Sequence, residues 1–253
     1  MTESFTDNLR GPFPLSLISF LVLWLCVWMG TKFRTGTIHE QGDFSIVLGA
    51  TLTLLGLIIG FTFSMAVSRY DQRKNYEEQE ANAIGTEYVR ADVLPGASAE
   101  KVRSLLNTYL HERILFYTTR DARELASVND RTARLQAQLW SAVQVPAVAQ
   151  PSPVVALALS GMNDVLNSQG YTQAAWWNRI PVEGWALMGL IAACANALLG
   201  YGARQSLPKG TLLVLPFMIS IAFFLIADID TPRRGIIHVS PQNLVSLSNS
   251  LHP

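Results

Sequence analysis

The chain has 253 residues, 19 basic and 19 acidic side chains and 49% hydrophobic residues, a balance that argues against a nucleic-acid-binding surface and against a disordered, highly charged polymer. Its two cysteines and four histidines (His39, His111, His238, His252) are scattered, with no second ligand at metal-binding spacing. The hydrophobic residues are gathered toward the two ends, in runs of the length that crosses a bilayer.

Taken in chain order, the runs Phe13 to Gly30 and Phe44 to Val67 come first, and Val182 to Tyr201 and Thr211 to Ile229 come last. Each approaches the roughly 20 apolar residues needed to span a hydrocarbon core of about 30 Å. Apart from Glu183 at the start of the third run, none carries a charge before Asp228, as the cost of an unpaired charge in lipid requires. The first run follows a leader with Glu3, Asp7 and only Arg10, and no small-residue cleavage pattern comes after Gly30, so it reads as a retained anchor. Cys26 and Cys194 fall inside spans and act as small apolar side chains.

Residues 68–181 lack the alternation of strands and read as a water-facing helical domain. Ser98 is a candidate cap for a helix with Val102, Leu105, Leu106, Tyr109, Leu110, Ile114 and Tyr117 on one stripe, and Asn129 for a second with Leu135, Leu139, Trp140 and Val143. PAVAQPSP, from Pro146, predicts a break; a further helix is expected from Pro153 to Asn167, ended by Gly170. Trp176, Trp177 and Arg179 then suit the headgroup layer. The expected organisation is residues 1–67 (tail and two spans), 68–181 (cytoplasmic helical domain), 182–230 (two spans) and 231–253 (a polar tail with no clear element). Arg10, Arg69, Arg73, Lys74, Arg179, Arg233 and Arg234 outnumber Lys32, Arg34, Arg204 and Lys209 on the other side, so both termini and the middle domain are expected in the cytoplasm.

The second span carries Thr53, Gly56, Gly60, Ser64 and Ser68 as a face of small residues, the pattern that lets membrane helices approach closely, with Gly56, Gly60 and Ser64 as candidate packing positions. Beside it, Leu57, Phe61 and Met65 form a four-spaced apolar row. Just beyond lie Arg69, Asp71, Arg73 and Lys74, and then a run of acids, Glu77, Glu78, Glu80 and Glu87, which reads as a solvated face or a line of ion pairs between subunits. Asp228 and Asp230 end the fourth span, where the helix dipole disfavours carboxylates. Arg69, Arg73, Arg233, Arg234 or a cation could compensate them. No nucleophile and base pair, phosphate loop or zinc motif is visible, so no enzyme activity and no cofactor are expected.

The stretches GFTFSMAVSRYDQR (from Gly60), EEQEANAIGTEYVRADVLP (from Glu77), ANALLGY (from Ala195) and ADIDTPRRGIIHVS (from Ala227), in this order along the chain, resemble the bacterial bestrophin-like membrane family. Gly60 and Phe61, followed by Arg69 and Tyr70, are similar to the second helix of bestrophins themselves. The resemblance implies an all-α membrane protein, with four transmembrane helices and a cytoplasmic helical domain between the second and third. It further implies a homo-oligomer, five copies in bestrophins, in the bacterial inner membrane. Its partners would be membrane lipids and ions, with no nucleic acid. Thr53, Leu57 and Phe61 would form the pore neck, with Arg69, Asp71, Arg73 and Lys74 as charges at the inner mouth. Threonine at position 53 and the absence of tryptophans after Asp71 depart from the bestrophin pattern. The residues alone leave the sign of the ion open, and leave a non-conducting membrane-anchored sensory or interaction protein as the alternative.

Overall fold

The computed structural model describes residues 12–33, 41–203, 208–233 and 235–251. Glu3, Asp7, Arg10, Arg34, His39, Arg204, Arg234, His252 and the side chain of Lys209, used above for orientation or ligand spacing, lie outside the described residues. All regular structure among the described residues is helical: α1 (Pro12–Lys32), α2 (Gln41–Arg90), α3 (Gly96–Thr118), α4 (Ala122–Ala149), α5 (Pro153–Trp177), α6 (Val182–Gly202), α7 (Val214–Asp230) and α8 (Gln242–Leu251), with short 3-10 turns at Ala91–Val93 and Lys209–Leu213. Four helical stretches are long and apolar enough to cross a membrane. The chain forms two compact units, one drawn from Met1–Arg69 and Arg179–His238, the other from Tyr70–Asn178 and Val239–Pro253.

In the first unit α1 packs on α6 and α7. Leu23 and Val27 are buried, and the two backbones meet at glycines: a Cβ on Gly30 would overlap the Ala197 carbonyl oxygen, and one on Gly200 would overlap that of Val27. Close backbone approach of this kind is what holds helices together where lipid removes any hydrophobic drive. Aromatic pairs fasten α1 to α7, with Phe13 and Phe224 at 5.1 Å and Phe20 and Phe217 at 6.4 Å between ring centres. Gly200→Ala is therefore expected to force α1 and α6 apart and cost about 3 kcal/mol. Gly170→Ala, in α5 where an added Cβ meets nothing within 4 Å, should be neutral or stabilising. Thermal unfolding of the two solubilised variants separates these outcomes.

In the second unit α3, α4, α5 and the second half of α2 surround one core, in which Leu106, Tyr109, Leu110, Phe116, Leu139, Met162 and Val165 are almost completely buried. Several sequence expectations change here. Helix α3 starts at Gly96 after Pro95, with the amide of Ser98 already donating to the Pro95 carbonyl at 2.8 Å, so Ser98 is not its cap. Helix α4 starts seven residues before Asn129 (at Ala122) and is capped by Asp121, which accepts from the amides of Arg123 and Glu124 at 2.9 Å. It then continues through Pro146 to Ala149, with the Gln150 amide donating to the Pro146 carbonyl, so the break falls at residues 150–152. Gly170 lies inside α5, because Thr172, Ala175 and Trp176 beyond it are buried and hold the last two turns in place.

The helix that contains the second span does not stop at Val67. Residues 68–90 contain no proline, and α2 runs unbroken to Arg90. The polar tail, which its sequence leaves open to ordering by the middle domain, forms a helix there from Gln242 to Leu251. Leu244 is fully buried, Leu247 and Leu251 pack on the core, and together they give α8 one apolar stripe. Glu77 holds the start of α8: its carboxylate accepts from the Leu244 amide at 3.0 Å and from the Asn243 side-chain amide at 2.6 Å.

Candidate functional site

Helix α2 turns by about 100° per residue, so Gly49, Thr53, Gly56, Leu57, Gly60, Phe61 and Ser64 share one side of it and Leu55, Thr62 and Ala66 the other. The two sides differ sharply in the first unit. Leu55 and Ala66 are buried, whereas Leu57 is 52% and Phe61 67% exposed. Thr53 is exposed too, and its hydroxyl donates to the Gly49 carbonyl at 2.9 Å. A Cβ added to Gly56 or Gly60 would meet nothing within 4 Å, and Ser64 is exposed. The small-residue face of α2 is thus uncovered among the described residues, whereas Gly30 and Gly200 lie at a backbone-to-backbone crossing.

In the second unit the same side of α2 stays exposed but becomes polar, with Asp71, Asn75, Glu78 and Asn82 along it and Lys74 at its flank. The opposite side carries Arg73, Glu77, Glu80, Ile84 and Glu87, at spacings of four and three, and all are buried. The acid run is therefore largely a core stripe and not a solvated face; only Glu78 of its four glutamates is exposed. The spacing that carries Arg73, Glu77, Glu80, Ile84 and Glu87 onto one side was the available signal, masked by the expectation that charges face water.

The two arginines assigned to the inner mouth are engaged elsewhere. Arg73 is 1% exposed, and its guanidinium donates to the carbonyls of Ala175 at 3.1 Å and Asn178 at 3.2 Å, satisfying the last turn of α5. Arg69 lies 3.6 Å from Asp230 and donates to the Met65 sulfur at 3.6 Å. Helix geometry alone could not separate these from Lys74 because their partners are more than 100 residues away in the chain for Arg73.

Asp228 and Asp230, the pair read as a salt-bridge or cation site, are both buried. Asp228 accepts from the amides of Ile236 at 2.7 Å and Ile237 at 2.8 Å, closing the turn after α7; Gly235 is required there because a Cβ would overlap the Asp228 carbonyl oxygen. Asp230 receives the Ile180 amide on both oxygens, at 3.1 and 3.2 Å, besides Arg69. Amide donors and one guanidinium thus offset the dipole penalty, and among the described residues no cluster of three or more metal-binding side chains occurs.

A buried polar cluster lies in the second unit. Glu80 pairs with Arg113 through Nε and Nη2 and also accepts from the hydroxyls of Tyr117 at 3.3 Å and Thr172 at 3.2 Å, so one carboxylate joins α2, α3 and α5. The Arg113 guanidinium lies 4.4 Å from the Phe116 ring centre, and burial together with the Glu80 charge pushes the Tyr117 hydroxyl well above its usual range.

The bestrophin-like domain model matches residues 17–244, which is nearly the whole chain. The chain belongs to the bestrophin-like family. Its fold is that of a bacterial bestrophin homologue from Klebsiella pneumoniae, of which two variant structures illustrate the likeness. One is 14% identical, covers 93% of this chain and 95% of its own and has a TM-score of 0.64; another is 16% identical, covers 94% of each chain and has a TM-score of 0.60. A search of curated proteins found no match. Family, fold and four apolar helices together make this a multi-pass membrane protein of channel-like, all-α bestrophin architecture.

Proposed function

We propose that this bestrophin-like protein is an ion channel of the bacterial inner membrane, formed by several copies, five by analogy with bestrophins, around an axis lined by α2. The observation that carries the reading is the uncovered side of α2: apolar at Leu57 and Phe61, open at Gly56 and Gly60, and polar at Asp71, Asn75 and Glu78. An exposed face that is apolar beside two open glycines within the span and polar beyond it suits a conduit that passes from a constriction to water. Rings of Thr53, Leu57 and Phe61 form the neck, which blocks ions by dewetting when narrow. The small residues beside them leave space for neighbouring helices to shift or rotate.

With Arg69 and Arg73 held by Asp230 and by the α5 carbonyls, the exposed charges on and beside this side of α2 beyond the neck are Asp71 and Glu78 against Lys74. This excess of acid attracts cations into the inner mouth. Both termini lie in the cytoplasm by the distribution of Lys and Arg. Native mass spectrometry of the nanodisc particle should give a ring-sized oligomer, and bilayer recordings of Leu57→Ala with Phe61→Ala should show leak conductance at least tenfold above the parent. A well-folded monomer, or an oligomer whose double variant stays as silent as the parent, would exclude the axial pore and favour the interaction-protein alternative.

A further inference from the structure

The first unit contains a recessed feature away from the exposed side of α2. A groove of about 610 Å³ opens between α1, α6 and α7, with Ile18, Val22, Trp185, Gly189 and Phe223 along its walls and Arg179, Asp230 and Thr231 among its polar lining residues. From Val182 to Gly189 it follows α6 for about 10 Å into the apolar span. Its volume falls in the range of small-molecule sites.

Charge decides what fits. Asp230 is already neutralised by Arg69 and by two contacts from the Ile180 amide. Arg179 is exposed and makes no ion pair among the described residues. Glu183, the other exposed charge at the start of α6, does not line the groove. An apolar slot inside a membrane span, ending at an uncompensated guanidinium, is complementary to a molecule with an acyl chain and an anionic phosphate head.

We propose that this groove is a binding site for an anionic phospholipid, with one acyl chain lying against Val22, Gly189 and Phe223 and the phosphate held by Arg179. Gly189 keeps the slot open, since a Cβ there would meet nothing within 4 Å and a larger side chain would occupy the space of the chain itself. The site is independent of conduction, because it uses neither the exposed face of α2 nor the oligomer axis.

The test uses the full chain in detergent, titrated with dioleoyl phosphatidylglycerol or dioleoyl phosphatidylcholine, with bound lipids counted by native mass spectrometry. The parent should retain phosphatidylglycerol at least fivefold better than phosphatidylcholine. Arg179→Gln should remove that preference, and Gly189→Leu should reduce retention of both lipids, each with unchanged particle mass and unfolding temperature. Equal retention of the two lipids by the parent would overturn the proposal, as would a Gly189→Leu variant that binds like the parent. A change in oligomer mass on Gly189→Leu, with lipid retention intact, would assign the groove to a second copy of the chain and would also overturn it.

Discussion

Replacing Glu80 by alanine is expected to lower the unfolding temperature of the solubilised protein by about 10 °C. Glu80 and Arg113 have side chains with no solvent exposure, and Glu80 also receives Tyr117 and Thr172. Removing the carboxylate leaves a buried guanidinium whose lost partner water cannot replace, and breaking such a pair costs ~3–5 kcal/mol. Truncation of Arg113 should cost a similar amount for the mirror-image reason. The double change Glu80→Leu with Arg113→Leu removes both charges together and should recover more than half of the loss. Trp176 is a built-in reporter, buried to 4% exposure with its ring 5.1 Å from Phe116 and 5.5 Å from Tyr117. If Glu80→Ala shifted the fluorescence midpoint no more than Glu78→Ala, on the exposed side of the same helix, the pair would not hold the core.

The second expected result concerns Glu87 and pH. Its side chain is buried, neither carboxylate oxygen has a hydrogen-bond partner among the described residues, and a Cβ on Gly161 would overlap Oε2. Burial, opposed by the Arg90 charge and reinforced by that of Asp164, pushes the carboxyl up to about 8. The folded protein therefore holds a proton that the unfolded chain releases in the ordinary carboxylate range. Between that range and pH 8 the folded state binds more protons, so stability falls as pH rises, by about 1.4 kcal/mol per pH unit, and levels off above pH 8. Glu87→Gln mimics the protonated form and should remove that slope. Its unfolding temperature should match the parent near pH 5 and exceed it by several degrees at pH 8.5. Parallel curves for the two proteins from pH 5 to 8.5 would show that Glu87 ionises like a surface carboxylate.

These two glutamates also mark where reading the chain alone reached its limit. Residues Glu77, Glu80 and Glu87 fall on one side of α2 by spacing, but spacing does not say which side is covered. Arg113 lies 33 residues from Glu80 and Leu244 lies 167 from Glu77. Only a folded chain brings these partners together. The same holds for Gly56 and Gly60, whose pattern matches that of close-packed glycines yet where an added Cβ meets nothing within 4 Å among the described residues, while Gly30 and Gly200 carry the tight crossing. Arg69 and Arg73 could not be told from Lys74 before Asp230 and the end of α5 were in place.

The sequence by itself determined the class of protein. Four runs of apolar residues need no partner to be recognised, because their length and lack of charge answer to the bilayer alone, and the ordered stretches from Gly60 to Ser240 carried the family resemblance. Asp228 and Asp230 were likewise visible as a problem at the end of α7, since the helix dipole is a local property. Tertiary structure decided the rest: the continuation of α2 to Arg90, the docking of α8 on Glu77, the sorting of charges into buried pairs and exposed faces, and the groove beneath Arg179. Each of these depends on burial, and burial is fixed by which distant segments come to lie against one another.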